Sequence, residues 1–394
     1  MLALAEPAHA VYDPGRLPDP TRRWSVNLAL RTQYDDNVNT TPTDKVGSFV
    51  SIINPGFIVN LPGEQTFMGL RYNYNAAYYW NRPGGNQLDE SHVGNFSFSH
   101  TFSPRLTLSI NDNVVYGIEP ALVQQLPGPG AGTTITRLQG DYVFNGTTAE
   151  LTYYLTRRIY VTTDGRFDYW HYDNEEVSTN NNRIAFGGRA TANYAIDTRT
   201  VVGLSFVYLQ TDYEFPGSND VRNSDSQIVS GILSRRVNPR LSMRLNGGYQ
   251  VQNLGAGGQQ TSPVADLSAT YNYKPDSSLT MGYRYILSSS VNVGQFQRSE
   301  VNVGYLSGSH AITRKLRLST DFTYTYISYV SPIPGIPQSA SAYEQGIRLN
   351  VGLTYDFTPW CQGLLSYSYE DVESDIESLV FDRNRASIGV RLIY

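Results

Sequence analysis

Leu316-Arg317-Leu318-Ser319-Thr320-Asp321-Phe322-Thr323-Tyr324-Thr325-Tyr326-Ile327-Ser328-Tyr329-Val330 is the stretch whose reading decides the fold. Leu316, Leu318, Phe322, Tyr324 and Tyr326 fall on one side of an extended chain, and Arg317, Ser319, Asp321, Thr323 and Thr325 fall on the other. Successive side chains of a strand point to opposite faces, so one face here suits hydrocarbon and the other suits water. Ring-rich alternating stretches of this kind recur from Trp24 to Tyr394, separated by turns and loops of two distinct kinds. That is the pattern of a transmembrane β-barrel. A soluble sandwich also alternates, but it has no need of tyrosine at 30 of 394 positions or of an apolar aromatic strand ending at Tyr394.

Composition removes several rivals. Mean hydropathy is below zero, and no apolar run approaches the ~20 residues that a membrane helix requires. Net charge is −5 and lysine is confined to Lys45, Lys274 and Lys315, which argues against a nucleic-acid binder with a concentrated basic surface. The lone cysteine, Cys361, has no internal disulfide partner and reads as a small apolar residue beside a short turn. His9, His92, His100, His171 and His310 are scattered without metal-ligand spacing, and no Gly-x-Ser-x-Gly, Cys-x-x-Cys or phosphate loop occurs. The sequence therefore points to no catalysis, no cofactor and no metal.

Short turns are expected near Pro62-Gly63, Ser103-Pro104, Arg157-Arg158, Asp197-Thr198, Asn238-Pro239, Pro275-Asp276, Thr313-Arg314 and Thr358-Pro359. These define hairpins which, with a first strand from Trp24 and a last ending at Tyr394, give eighteen strands. An even number lets the first and last strands close antiparallel with both termini on one side, expected to be the periplasm. Asn-, Asp-, Gly-, Pro- and Ser-rich segments such as Asp35 to Lys45, Asn81 to Asp89, Tyr172 to Asn182 and Phe215 to Asn223 read as the opposite, external loops. Residues 24–394 form the barrel, and residues 1–23 a signal-peptide remnant and periplasmic segment. Ala8, His9 and Ala10 carry the small-x-small pattern of a signal-peptidase site, so the mature chain is expected to begin near Val11.

Strand phase nominates the inner wall. Leu241, Met243 and Leu245 face lipid while Arg240, Ser242, Arg244, Asn246 and Gln250 face inward. Continued around the chain, the same phase places Arg31, Arg71, Arg166, Arg189, Arg284, Arg317, Arg348, Arg385 and Arg391 in the lumen. Asp164, Asp168, Asp266, Glu300, Asp321, Asp356 and Glu370 join them. An arginine at mid-membrane on the lipid side costs ~2–4 kcal/mol, which is the physical ground for placing these residues inside. Two readings of this wall stand: arginines and acids pair across strands to order it, or a stripe through Arg244, Arg284, Arg317 and Arg348 guides anionic solutes. Tyrosines divide similarly. Tyr72, Tyr74, Tyr78 and Trp80 suit an interfacial belt, whereas the inward Tyr79, Tyr154 and Tyr160 suit either structure or a stacking track for sugars.

Two external loops stand out. Ile118 to Thr134 surrounds the apolar group Ala121, Leu122, Val123 and Leu126 with Pro and Gly, and Ser331 to Ala342 is a shorter Pro-rich relative. An apolar patch on such a loop packs on a neighbouring subunit, folds into the pore, or stays exposed. The acidic run Asp371, Glu373, Asp375 and Glu377 lacks the spacing of a calcium loop and reads as solvated charge.

The opening strand, Leu30-Arg31-Thr32-Gln33-Tyr34-Asp35-Asp36-Asn37-Val38, resembles the first-strand signature of an outer-membrane β-barrel porin family often encoded near exopolysaccharide production genes. The turns Phe102-Ser103-Pro104 and Phe357-Thr358-Pro359 are similar as well. The resemblance implies a channel associated with polymer or oligosaccharide passage. The expectation is an all-β, antiparallel up-and-down barrel in the outer membrane of a Gram-negative bacterium, admitting hydrophilic solutes passively. An exopolysaccharide exporter and a non-conducting structural barrel that anchors a surface assembly are the alternatives. Its expected partners are membrane lipid and lipopolysaccharide outside and hydrophilic solutes or polysaccharide inside. A homo-oligomer stays open, and nucleic acid is not expected.

Overall fold

The computed structural model describes residues 23–118, 124–125, 133–134, 140–175, 178, 181–214, 223–255, 258–289, 296–332 and 342–394. The leader and its cleavage point near Val11 lie outside these residues, as do the loop group Ala121, Leu122, Val123 and Leu126 and most of the loop from Ser331 to Ala342. The chain runs through β1 (Trp24–Asp35), β2 (Ser48–Pro62), β3 (Thr66–Tyr79), β4 (Leu88–Ser103) and β5 (Leu106–Gly117). A small hairpin of β6 (Gln124–Gln125) and β7 (Thr133–Thr134) follows. Next come β8 (Tyr142–Tyr154), β9 (Ile159–Tyr172), β10 (Arg183–Ala195), β11 (Thr200–Tyr213), β12 (Ser224–Arg236) and β13 (Leu241–Leu254). The wall ends with β14 (Gln259–Lys274), β15 (Ser277–Ser289), β16 (Phe296–Ala311), β17 (Leu316–Pro332), β18 (Ala342–Thr358), β19 (Cys361–Ser374) and β20 (Phe381–Ile393). Apart from the β6–β7 hairpin, all of them form one 18-stranded sheet in which every neighbour is antiparallel and β20 pairs back onto β1. Closure leaves no edge strand, the condition for a sheet to sit in hydrocarbon.

The eight short connections fall where the sequence places them, and side chains close several of them. Asn238 Oδ1 accepts the backbone N–H groups of Arg240 and Leu241, and Thr313 Oγ1 those of Lys315 and Leu316. Thr156 and Asp197 act in the same way on residues two and three ahead. These short polar side chains imitate a backbone turn and satisfy amides that the ladder no longer serves. The N–H of Arg199, with smaller help from Thr200 and Arg235, holds the exposed Asp197 carboxyl below the ordinary carboxylate range. Asp276 in the Pro275-Asp276 turn takes φ 54°, a left-handed conformation that a short polar side chain tolerates.

Directly paired residues of neighbouring strands share a face, so the register sorts the whole wall. Leu30, Ile53, Phe57, Leu204, Phe206, Leu267, Met281, Phe322, Leu365 and Ile388 are exposed on the outer face. Trp24, Phe102, Tyr153, Tyr194, Trp360 and Tyr394 ring the short-turn end, and Tyr34, Phe49, Trp80, Tyr326 and Tyr343 ring the long-loop end. Two aromatic girdles around an apolar band are the outer surface of a transmembrane barrel.

The seam is locked from β1. Asp35 is fully buried and takes a forked pair of hydrogen bonds from Arg383 at 2.6 and 3.0 Å. Asp36 accepts the backbone N–H and the side-chain amide of Asn384, and Asn37 Nδ2 donates to the carbonyl of Asp382. At the other end of the seam the Trp24 and Tyr394 rings lie 5.5 Å apart, and Val26 and Tyr394 exchange backbone hydrogen bonds. The Asp-Asp-Asn of the opening strand therefore fastens the first strand to the last.

The wall is not a uniform cylinder. β14 and β15 stop pairing at Ala265 and Tyr285, although both strands continue beyond that point. Past the split, Gln250 Nε2, on the inner face of β13, donates to the Leu287 carbonyl at 3.2 Å. Arg298 of β16 bonds Gln260 Oε1 and the Gln252 carbonyl, also from inside. Leu287 and Arg298 are 2 % and 1 % exposed although they stand on the outward register of their own strands. The ends of β15 and β16 thus fold inward over β13 and β14.

Candidate functional site

The inner face divides into two halves. Towards the long loops it is packed. Val207, Ile228, Val264, Ile286, Val301, Val303, Ile327, Tyr329 and Ala342 make one buried cluster running from β11 to β18. Ile376 and Leu379, beside and in the 3-10 turn Glu377–Leu379, fold in against it. A second group, Tyr142, Phe144, Trp170 and Tyr172, is buried on β8 and β9, with Arg183 stacked over Trp170 at 4.7 Å. A third joins Val38, Val50, Ile52, Ala77 and Tyr79, and Arg82 covers the Tyr79 ring at 3.9 Å. The β6–β7 hairpin leaves the wall between β5 and β8, yet the backbone of β7 lies against β15 on the far side of the ring. Apart from Ile118 and these two short strands, the Ile118 to Thr134 loop lies outside the described residues.

Towards the short turns the inner face is open and polar. Ser242, Arg244 and Asn111 are exposed there although each points away from the outer surface. An inward side chain that still meets solvent lines a water-filled space.

Register puts Arg31, Arg71, Arg166, Arg189, Arg244, Arg284, Arg317, Arg348, Arg385 and Arg391 on the inner face, with Asp164, Asp168, Asp266, Asp321, Asp356 and Glu370. Glu300 is the correction. It pairs with Leu287 and Ser328, on the face of Leu306 and Tyr326 and opposite to that of Arg284. Val301 and Val303 take the inner positions into the apolar cluster, so the alternation there runs in the reverse sense from a polar-inward strand.

Most of the inner charges are brought into pairs. Arg189 donates to Asp164 and approaches Glu150 at 3.8 Å, and Arg166 pairs with Asp168 two residues along its own strand. Arg284 holds Asp266 through two nitrogens at 2.7 and 3.1 Å, and Glu370 lies between Arg385 at 2.8 Å and Arg348 at 3.3 Å. Arg71, Arg244 and Arg317 have no ion-pair partner among the described residues. The expected stripe is accordingly split: Arg284 and Arg348 are in ion pairs, whereas Arg244 and Arg317 form none among the described residues, although Asp266 and Glu150 lie near enough to act on Arg244. Asp356 accepts from Gln362, itself bonded by Arg391. Tyr305, also inward, lies across Gly282, where a Cβ would stand 2.2 Å from its ring. Tyr154 and Tyr160 face the lumen with ring centroids 5.2 Å apart.

Four histidines sit on the outer face: His92 bonded to Tyr72, His100 to Thr66, His310 to Tyr273, and His171 to Asn182. His9 lies outside the described residues. Of the acidic run, Asp375 accepts the Tyr343 N–H and Glu373 a bond from Gln345, both at the long-loop end.

A closed, even-stranded antiparallel sheet with an apolar, ring-girdled exterior and a charged, partly open interior is a transmembrane β-barrel of the outer-membrane type. No protein-family model and no curated protein matches the chain. Among solved structures it is similar to the outer membrane protein OpdK from Pseudomonas aeruginosa, at 13 % identity over 94 % of this chain and 99 % of that one, TM-score 0.48. It is similar to a BenF-like porin from Pseudomonas fluorescens, at 13 % identity over 94 % and 99 %, TM-score 0.49. The FrpB iron transporter from Neisseria meningitidis shows 9 % identity over 90 % of this chain and 63 % of that one, TM-score 0.45. The barrel assignment rests on the chain's own strand pairing.

Proposed function

We propose that the protein is a porin-like channel in the outer membrane of a Gram-negative bacterium, with short turns and termini in the periplasm and long loops outside. Hydrophilic solutes pass through it by diffusion. The observation that carries this reading is Arg244: an arginine on the inner face, exposed to solvent inside the wall and without a carboxylate partner among the described residues. A sealed structural barrel has no reason to keep such a charge in an open interior. An eighteen-stranded barrel is also too wide for its own side chains to fill along its whole length. Passage is controlled in the outer half, where the apolar cluster and the β6–β7 segment narrow the lumen.

Arginines exceed acids on the inner face, so the channel favours anions, and the partnered acids keep the preference modest. Replacing Arg244 and Arg317 together by Gln keeps a polar wall and removes two charges that lack carboxylate partners among the described residues. Reversal potentials across a gradient of dilute salt, where screening is weak, should then show a reduced anion preference with little change in conductance. An unchanged preference would mean that neither arginine faces the conducting path.

A second reading, export of an oligosaccharide or exopolysaccharide, draws on the inward Tyr154 and Tyr160, whose paired rings form a surface on which sugar faces stack. Reversible block of the ion current by added oligosaccharide, lost in Tyr154→Ala, is the observation that would favour it.

A further inference from the structure

At mid-span the outer face carries a carboxylate that hydrocarbon does not accommodate. Asp112 lies on the outward register of β5, opposite Phe96 of β4 and Thr147 of β8. Leu106, Leu108 and Ile110 separate it from the short turn, and Val114 and Tyr116 from the long-loop end, so it stands at mid-span. Asn145 Nδ2 and Thr147 Oγ1 both donate to its Oδ1, at 2.9 and 2.6 Å. Its Oδ2 has no hydrogen-bond partner among the described residues. The other outward acids, such as Glu90, Asp225, Asp371 and Asp382, stand at the long-loop ends of their strands, where water and headgroups serve them.

The surface around Asp112 is low. Gly94 is diagonal to it on β4, and Ala149, Gly165 and Gly188 form a row below Thr147. A Cβ at Gly165 would meet nothing within 4 Å, and one at Gly94 only a carbonyl oxygen at 3.9 Å. The wall's own packing therefore does not require glycine at either position. Phe96 and Phe167 rise on either side of this low ground. Open outward glycines also occur at Gly231, Gly247 and Gly304, but no carboxylate shares their surroundings.

We infer that the outer face of β4, β5, β8, β9 and β10 docks a second copy of this chain within the membrane. Acyl chains offer Asp112 no donor. A membrane-spanning partner must bring polar hydrogens at the same depth, and a copy related by rotation about the membrane normal does so, because its Asn145, which spends one of its two amide hydrogens on its own Asp112, brings the other to that height. The glycine row lets the two walls approach closely, as small residues do in membrane interfaces generally. Oligomers formed in this way are cyclic. The inference is independent of whether the lumen conducts.

The test counts copies of the full-length protein by photobleaching steps in lipid vesicles, together with native mass spectrometry in mild detergent. Wild type should be oligomeric. Gly165→Leu adds bulk that its own wall accepts and should weaken association about ten-fold or more in dissociation constant. Asn145→Leu should act in the same direction, and Gly304→Leu, on β16 across the ring, should leave association unchanged. Heat-modifiable electrophoretic mobility verifies that each variant is folded. A monomeric wild type, equal behaviour of Gly165→Leu and Gly304→Leu in folded protein, or a different protein bound stoichiometrically in place of the second copy would overturn the inference.

Discussion

Replacing Asp35 by Ala is expected to destabilise the barrel by about 3–5 kcal/mol, because it leaves the Arg383 guanidinium buried without its carboxylate. The two groups are 0 % and 3 % exposed and join the first strand to the last. A hairpin partner within the wall is held by its turn, but β1 and β20 are connected only through the rest of the chain. Their register therefore depends on side-chain locks more than that of any other pair. The destabilisation should appear as a lower urea midpoint of the folded, heat-modifiable form. The double variant Asp35→Ala/Arg383→Ala should recover part of the loss, since both members of a coupled pair are then gone. Additive losses in the double variant would show that the fork contributes nothing specific to closure.

Replacement of residues 119–139 by a short Gly-Ser linker is expected to raise single-channel conductance at least about two-fold, because the narrowest section of a pore dominates its resistance. β7 lies against β15, across the ring from β5 and β8, and β6 and β7 pair outside the main sheet. The wall should be indifferent to its removal, since β5 pairs directly with β8. Conductance that stays at the wild-type value would place the limiting constriction in the apolar cluster of β11 to β18 instead.

Much of this architecture was legible in the sequence because two strong signals coincide. Alternation in segments such as Leu316 to Val330 fixes which side faces lipid, and short polar residues such as Asn238 and Thr313 mark where the chain reverses. Alternation fails where both faces are apolar or both polar. Around Val301 and Val303 the inner face is a hydrophobic cluster, so a polarity rule assigns Glu300 to the wrong side. The inward fold of β15 and β16 left no local trace, because it depends on Gln250, Gln252 and Gln260 from strands that precede them in the chain. Asp112 was missed for the opposite reason: Ile110-Asn111-Asp112-Asn113 is polar on both faces, and only the register separates the inward Asn111 from the outward Asp112. The Asp35-Asp36-Asn37 run attracted notice as a resemblance, while its work at the seam needed Arg383, Asn384 and Asp382 from the far end of the chain.

Conductance of the purified, folded protein in planar bilayers tests the central claim most directly. A lumen lined by Arg244 and its neighbours predicts discrete current steps, linear with voltage and modestly anion-preferring in dilute salt. Protein that is fully heat-modifiable yet inserts without passing current would contradict the channel and leave a sealed barrel in its place.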